Sequence, residues 1–259
     1  MLPTMRKIEV ILLGSMVLGL LGCDFGIVPP NFGESVAGQG STLARFAIEG
    51  DDLYIIDNQS LRHFDISTPS APEEGERITV DFEVKSIFAY NDHLFMSNET
   101  GLNIYDVSDG DAPQFVSNFS GITACNSVVF QGNAAFVTRR RGDECGWTDP
   151  SELAVLDVSD FSSLNTLRVY SGTNTISSPV SLAVSPNTLF LCEGNNGLRI
   201  YQSTVPDGLV QTGHRPNFEA FGLVPNGSNA IIKGSDGLYQ YDISNPLNLR
   251  FLSRIPFVE

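Results

Sequence analysis

Five stretches of this chain repeat one phrase: "HFDIS" at 63–67, "IYDVS" at 104–108, "VLDVS" at 155–159, "IYQST" at 200–204 and "QYDIS" at 240–244. A second apolar stretch precedes each: "LYIID" from Leu53, "LFMSN" from Leu94, "AFVTR" from Ala135, "LFLCE" from Leu189 and "AIIKG" from Ala230. A third lies earlier still and a fourth follows the aspartate, so each unit reads as four short strands, a, b, c and d. Strand a starts at residues 43, 84, 125, 180 and 219, in steps of 41, 41, 55 and 39. An extra stretch in unit 3, between strands b and c at about Thr138–Ser151, accounts for the long step.

The turns have local causes. The b–c connections "NNG", "ETG" and "SDG" end on glycine, which supplies the positive φ of a tight hairpin. Asp65, Asp106, Asp157 and Asp242 end strand c and can accept bonds from nearby backbone amides, which starts the c–d turn. Gln202 and Thr204 show that unit 4 has drifted from this pattern.

Four antiparallel strands at a period near 40 residues describe a propeller blade. One such sheet cannot bury both its faces, and neighbours standing radially around an axis can. A sandwich is the competing all-β answer, but it does not call for five near-identical units. We expect one all-β domain, a five-bladed β-propeller over 42–259. The blades fall at about 42–80, 84–120, 124–171, 178–213 and 217–259. The chain runs from an a strand to a d strand, so closure between the first and last blades would rest on packing alone. The alternative is six blades, with part of the preceding segment completing the ring.

That preceding segment sets the expected compartment. Arg6 and Lys7 precede the apolar run Val10–Gly22, which is short for a membrane span. "LLGC" at Leu20–Cys23 resembles a bacterial lipobox, so 1–22 reads as a signal peptide and Cys23 as the acylated first residue. Residues 23–41, rich in glycine and proline, read as a flexible tether. Removing 1–22 takes away two basic side chains and one acidic one, so the net charge moves from −15 to −16. Such a surface argues against nucleic acid and against electrostatic adhesion to anionic lipid. Anchoring to the bilayer would fall to the acyl chains. The expected place is the bacterial cell envelope, the outer membrane favoured, facing periplasm or cell surface.

The phrases "LYIID", "GLNIYDVSD", "AVLDVSD" and "GLYQYDIS" resemble the LVIVD repeat of bacterial propeller proteins, and the resemblance extends over 42–259. Many members of that family are envelope lipoproteins without an assigned activity. The resemblance implies a fold and a location, and it implies no chemistry.

Cys125 follows a d–a connection and Cys145 sits in a b–c connection; both kinds of connection emerge on one face of a blade. Export permits disulfides, so a Cys125–Cys145 bridge is expected. Cys192 lies in an apolar strand and reads as a small buried hydrophobe. The unit-3 insertion "TRRRGDECGWTDPS" carries Arg139, Arg140 and Arg141, and the only tryptophan, Trp147. Arginine and tryptophan favour interfaces, and loops on a rigid scaffold carry function. A binding loop for an acidic partner is one reading. Pairing of the arginines with Asp143, Glu144, Asp149 and Glu152, with tryptophan packed over the disulfide, is the other.

Catalytic signatures are hard to assemble. His63, His93 and His214 lie in different units, so no histidine metal site is expected, and no cofactor motif occurs. Glu49, Glu83 and Glu219 are the acidic candidates near innermost strand ends, and they do not form a recognisable acid/base pair. The sequence therefore suggests a monomeric, non-enzymatic interaction module for an envelope or extracellular protein or glycan. A hydrolase or lyase acting on carbohydrate or lactone in the central channel is the alternative.

Overall fold

The computed structural model describes residues 39–40, 45–57, 60–80, 83–109, 112–143, 146–172, 176–204 and 207–258, all within the unit Ser35–Glu259. Strand β1 (Gln39–Gly40) precedes the first repeat. Blade 1 comprises β2 (Phe46–Glu49), β3 (Asp52–Asp57), β4 (Ser60–Asp65) and β5 (Glu73–Thr79). Blade 2 comprises β6 (Ser86–Tyr90), β7 (His93–Ser97), β8 (Leu102–Asp106) and β9 (Gln114–Phe119). Blade 3 comprises β10 (Val128–Gln131), β11 (Ala134–Arg139), β12 (Glu152–Asp157) and β13 (Asn165–Ser171). Blade 4 comprises β14 (Ser181–Ser185), β15 (Thr188–Cys192), β16 (Leu198–Ser203) and β17 (Leu209–Arg215). Blade 5 comprises β18 (Gly222–Asn226), β19 (Asn229–Lys233), β20 (Gly237–Asp242) and β21 (Arg250–Pro256). Every sheet runs in sequence order with antiparallel neighbours, and the described residues contain no helix.

The expected five blades are present, and the repeat extends into their details. In every blade the register slips between strands c and d, for example at Ile104/Tyr105 and Gln240/Tyr241. A bulge there adds twist and turns the outermost strand away from its neighbour. In every blade a residue at or just after the end of strand c also donates its N–H to the a–b turn: Val107 to Asp92 at 2.8 Å and Ile243 to Ser228 at 2.7 Å are two cases. The recurring aspartates build turns. Asp65, Asp106, Asp157 and Asp242 accept from the N–H two residues on, at 2.7, 2.8, 2.9 and 2.9 Å. In the drifted unit 4, Thr204 replaces this device, its N–H and hydroxyl both donating to the Gly208 carbonyl at 3.0 Å.

Four apolar cores lie between consecutive blades. Tyr54, Leu61, Ile87 and Met96 join blades 1 and 2; Phe95, Ile104, Phe130 and Val137 join blades 2 and 3. Phe136, Val155, Leu182 and Leu191 join blades 3 and 4; Phe190, Ile200, Leu223 and Ile232 join blades 4 and 5. Among the described residues no fifth core of this kind joins blade 5 to blade 1. Of the segment before the repeats, the described Gln39 and Gly40 pair with Val129 and Val128, which makes blade 3 a five-stranded sheet.

One local expectation needs correction. Cys125 does not begin strand a of blade 3; it sits in the d–a connection, three residues before β10. His63, in strand c of blade 1, is buried, stacked on Tyr54 at 5.2 Å, with Nε2 2.5 Å from Asp52 Oδ1.

Candidate functional site

The b–c and d–a connections of blade 3 come together on one face, as the topology requires. Gly142 and Gly146, at φ of +73° and +80°, let the b–c loop reverse where a side chain would be strained. The loop ties itself with the Gly142 N–H on the Trp147 carbonyl at 2.8 Å and the Trp147 N–H on Asp143 Oδ1 at 3.0 Å. The indole Nε1 donates to the Pro150 carbonyl at 3.2 Å.

The three arginines of the insertion have different fates. Arg139 is consumed by the scaffold. Its guanidinium donates to Glu152, and to the carbonyl of Gly121 through Nε at 2.9 Å, and it lies 5.2 Å from the Trp147 ring. Only 12% of its side chain is exposed, so it pins the b–c loop to the d–a connection. Trp147 is thereby committed to the loop as well. Arg140 and Arg141 are exposed, and neither guanidinium has a carboxylate partner among the described residues. Among the described residues the expected pairing of the insertion's arginines is seen for Arg139, with Glu152.

Arg140 and Arg141 line a cleft of about 670 Å³. Its other walls are Gly142, Pro150 and Ser151 from the same loop, and Gly172, Ile176, Ser177 and Ser178 from the connection leading to blade 4. The Arg141 N–H donates to Ser151 Oγ at 3.1 Å, which sets the loop side. The far side is held from below by a buried ion pair. Glu193, just after β15, accepts from the Ser177 N–H at 2.6 Å and from Arg199 Nε at 2.5 Å. Its side chain is fully buried and that of Arg199 is 7% exposed. Sequence reasoning missed this pair, although its signal was there: two charges inside the otherwise apolar "LFLCEGNNGLRIY".

The other expected residues are dispersed. Cys23 and Cys145 lie outside the described residues, and so does Glu144. Cys125 is disulfide-bonded, to a partner outside the described residues, whereas Cys192 is free and buried, its thiol pushed up to about 12 by burial. His93 and His214 rest on the Asn91 and Asn196 carbonyls, far from each other and from His63 in the chain. Glu49 accepts from the Asp92 N–H, Glu83 pairs with Lys85, and Glu219 accepts from Ser235. Each carboxylate is used by its own neighbour. Among the described residues no three His, Cys, Asp or Glu side chains gather as a metal-holding group.

A search of curated proteins finds no match. The family model of the LVIVD repeat matches residues 44–80, which is blade 1. Because 644 solved chains match the structure, the likeness is to an architecture and not to one activity. Among them is the periplasmic gluconolactonase PpgL of Pseudomonas aeruginosa, at a TM-score of 0.56 and 12% identity over 80% of this chain and 68% of that one. Another is the β-propeller domain of Cps50 (Swd1) of Myceliophteria thermophila, at 0.54 and 8% over 83% of this chain and 73% of that one. A third is the computationally designed Ika8 protein, at 0.54 and 12%, where 82% of this chain spans only 61% of the other. Five radial sheets, propeller neighbours and the match in blade 1 agree: the chain is a five-bladed β-propeller carrying an LVIVD repeat.

Proposed function

We propose that this protein is an envelope-anchored, non-enzymatic propeller that holds a carboxylate-bearing partner, protein or glycan, in the cleft between its blade-3 loop and blade 4. One observation carries the reading. On a chain of net charge −15, Arg140 and Arg141 are exposed side by side over a cleft and lack a carboxylate partner among the described residues. Guanidinium groups engage carboxylates through paired, charge-assisted hydrogen bonds. The walls are set before any ligand arrives, by Arg139 on one side and Glu193 on the other, so little ordering opposes binding. The separate engagement of Glu49, Glu83 and Glu219 favours a binding role over acid/base chemistry in the channel.

The anchor in this reading is an acylated Cys23 at the outer membrane, and the loop is closed by a Cys125–Cys145 bridge. The test is co-purification from crosslinked envelopes with wild type and with Arg140→Ala/Arg141→Ala, Arg139 left intact. The variant should lose specific partners, and identical partner sets would remove the cleft from the account. Cys23→Ser should release the protein into the soluble fraction, and continued membrane retention would count against lipidation.

A further inference from the structure

Unit 4 departs from the repeat at one packing position. The residue after the turn aspartate is Ile66, Val107, Val158 or Ile243 in the other units; in unit 4, after Gln202, it is Ser203. The backbone there keeps the pattern of the repeat. The Ser203 N–H donates to the Asn187 carbonyl at 2.9 Å, as that of Val158 does to Asn133 and that of Ile243 to Ser228. Val107, Val158 and Ile243 help fill the seam toward the preceding blade. Ser203 brings a shorter, polar side chain to the seam between blades 3 and 4. It is 8% exposed, and its hydroxyl has no hydrogen-bond partner among the described residues.

Ser203 lines a cleft of about 660 Å³ at the strand ends opposite the arginine cleft. The a–b turns of blades 3 and 4 wall it, with Asn133 on one and Asn187 on the other. A second buried acceptor there is also unmatched. The Gln131 side chain spans the two blades and donates from Nε2 to the Pro186 carbonyl. A carbonyl only accepts, so the amide nitrogen must face Pro186 and Oε1 is the atom left over. Gln131 Oε1 is buried and has no partner among the described residues. Buried polar atoms are rarely left unpaired, because each one costs free energy. Two at one cleft point to a ligand that completes them. The equivalent cleft between blades 2 and 3, where Val158 stands, is smaller, about 410 Å³.

The walls select the class of ligand. No lysine or arginine is among the described residues that line the cleft. Asp157 brings a carboxylate, held by the Ser159 N–H at 2.9 Å, and the chain as a whole carries −15. An anion is therefore repelled. Amides and hydroxyls beside the apolar Leu167 and Pro186 suit a molecule that has both hydroxyl groups and C–H faces. The volume lies within the range of about 300–1,000 Å³ usual for small-molecule sites. We propose that this cleft binds an uncharged saccharide, with Ser203 Oγ and Gln131 Oε1 each bonded to a sugar hydroxyl. The site is separate from the arginine cleft and does not depend on it.

Saturation-transfer NMR and titration calorimetry of the purified protein test this with glucose, galactose, mannose, N-acetylglucosamine and their β-linked disaccharides. At least one should bind saturably. Ser203→Val restores the kind of residue found in the other units, so it should abolish that binding without lowering the urea midpoint. Ser203→Ala keeps the space and removes the hydroxyl, so it should bind about 2- to 10-fold more weakly. It also takes the place of Ser203→Val if that variant does not fold. Glucuronate should bind more weakly than the best uncharged sugar. Arg140→Ala/Arg141→Ala should bind that sugar as wild type does, which keeps this test apart from that of the arginine cleft. Failure of every sugar to bind wild type would overturn the proposal. So would wild-type affinity in the Ser203 variants, glucuronate bound as tightly as the best uncharged sugar, or loss of binding in the arginine variant.

Discussion

Replacing Glu193 with alanine should be among the most damaging single changes in this protein. The substitution strips the counter-charge from Arg199, whose side chain is 7% exposed, and leaves the Ser177 amide without its acceptor. Removing one partner of a buried ion pair costs about 3–5 kcal/mol, because the other charge is left uncompensated in a poorly polarisable site. For a domain of this size each kcal/mol moves Tm by about 2–4 °C, so the expected fall is about 6–20 °C.

Two further variants separate the causes. Glu193→Gln keeps an acceptor for the Ser177 N–H and removes only the charge, so it should cost about 1.5–3 kcal/mol. Glu193→Leu with Arg199→Met removes both charges, and replacing a whole buried pair is often neutral. What is left is the orphaned Ser177 amide, about 1–3 kcal/mol, so the double variant should be more stable than Glu193→Ala. Urea midpoints at constant slope supply the free energies. A Glu193→Ala variant within 1 kcal/mol of wild type, or a double variant no better than the single one, would refute the assignment of this pair as the support of the cleft wall.

Three other outcomes follow from named contacts. Gly197→Ala should destabilise well beyond Gly142→Ala: both have positive φ, but a Cβ at 197 would meet the Arg215 carbonyl oxygen at 2.1 Å while one at 142 meets nothing within 4 Å, and equal urea midpoints would contradict this. Bonds from Ser244 hold the Asp242 carboxyl down at about 2, so its contribution is complete above the unfolded value near 4 and is lost as pH falls from about 4 to 2. Asp242→Asn, which keeps an acceptor but does not titrate, should show a shallower acid limb over that interval, and coincident limbs would refute it. Cys125→Ser should cost about 3 kcal/mol if the proposed bridge to Cys145 closes a loop of about 20 residues, and alkylation of both cysteines in a non-reduced digest would exclude that bridge.

Much of the fold is legible in the sequence because each blade is specified locally. The "D-[IV]-S" phrase predicts a turn, and the aspartates that carry it accept the amide two residues on. Strand a starts one to three residues later than the repeat alignment puts it, since apolar character begins before the ladder does. The candidate site is legible only in part. Arg140 and Arg141 stand out by their charge, but Arg139 is chemically identical to them, and only the approach of the Gly121 carbonyl and Glu152 takes it out of solvent. The Glu193–Arg199 pair joins groups six residues apart across a hairpin, a distance at which no period announces contact.

The end faces show a different limit, and it has a physical meaning. In the middle blades, segments such as "AAFVTR" are apolar on consecutive residues and are buried on both sides. "LYIID" in blade 1 and "NAIIK" in blade 5 are apolar on consecutive residues too, yet there burial alternates. A strand that faces solvent on one side normally alternates apolar with polar residues, and a strand covered on both sides does not. The composition of blades 1 and 5 is therefore that of inner blades, and it calls for apolar coverage on both faces. Periodicity reveals how many faces a strand is built to bury, but not what buries them. A face of this chemistry left open at each end would be an adhesive edge, so its cover belongs to the working form of the molecule.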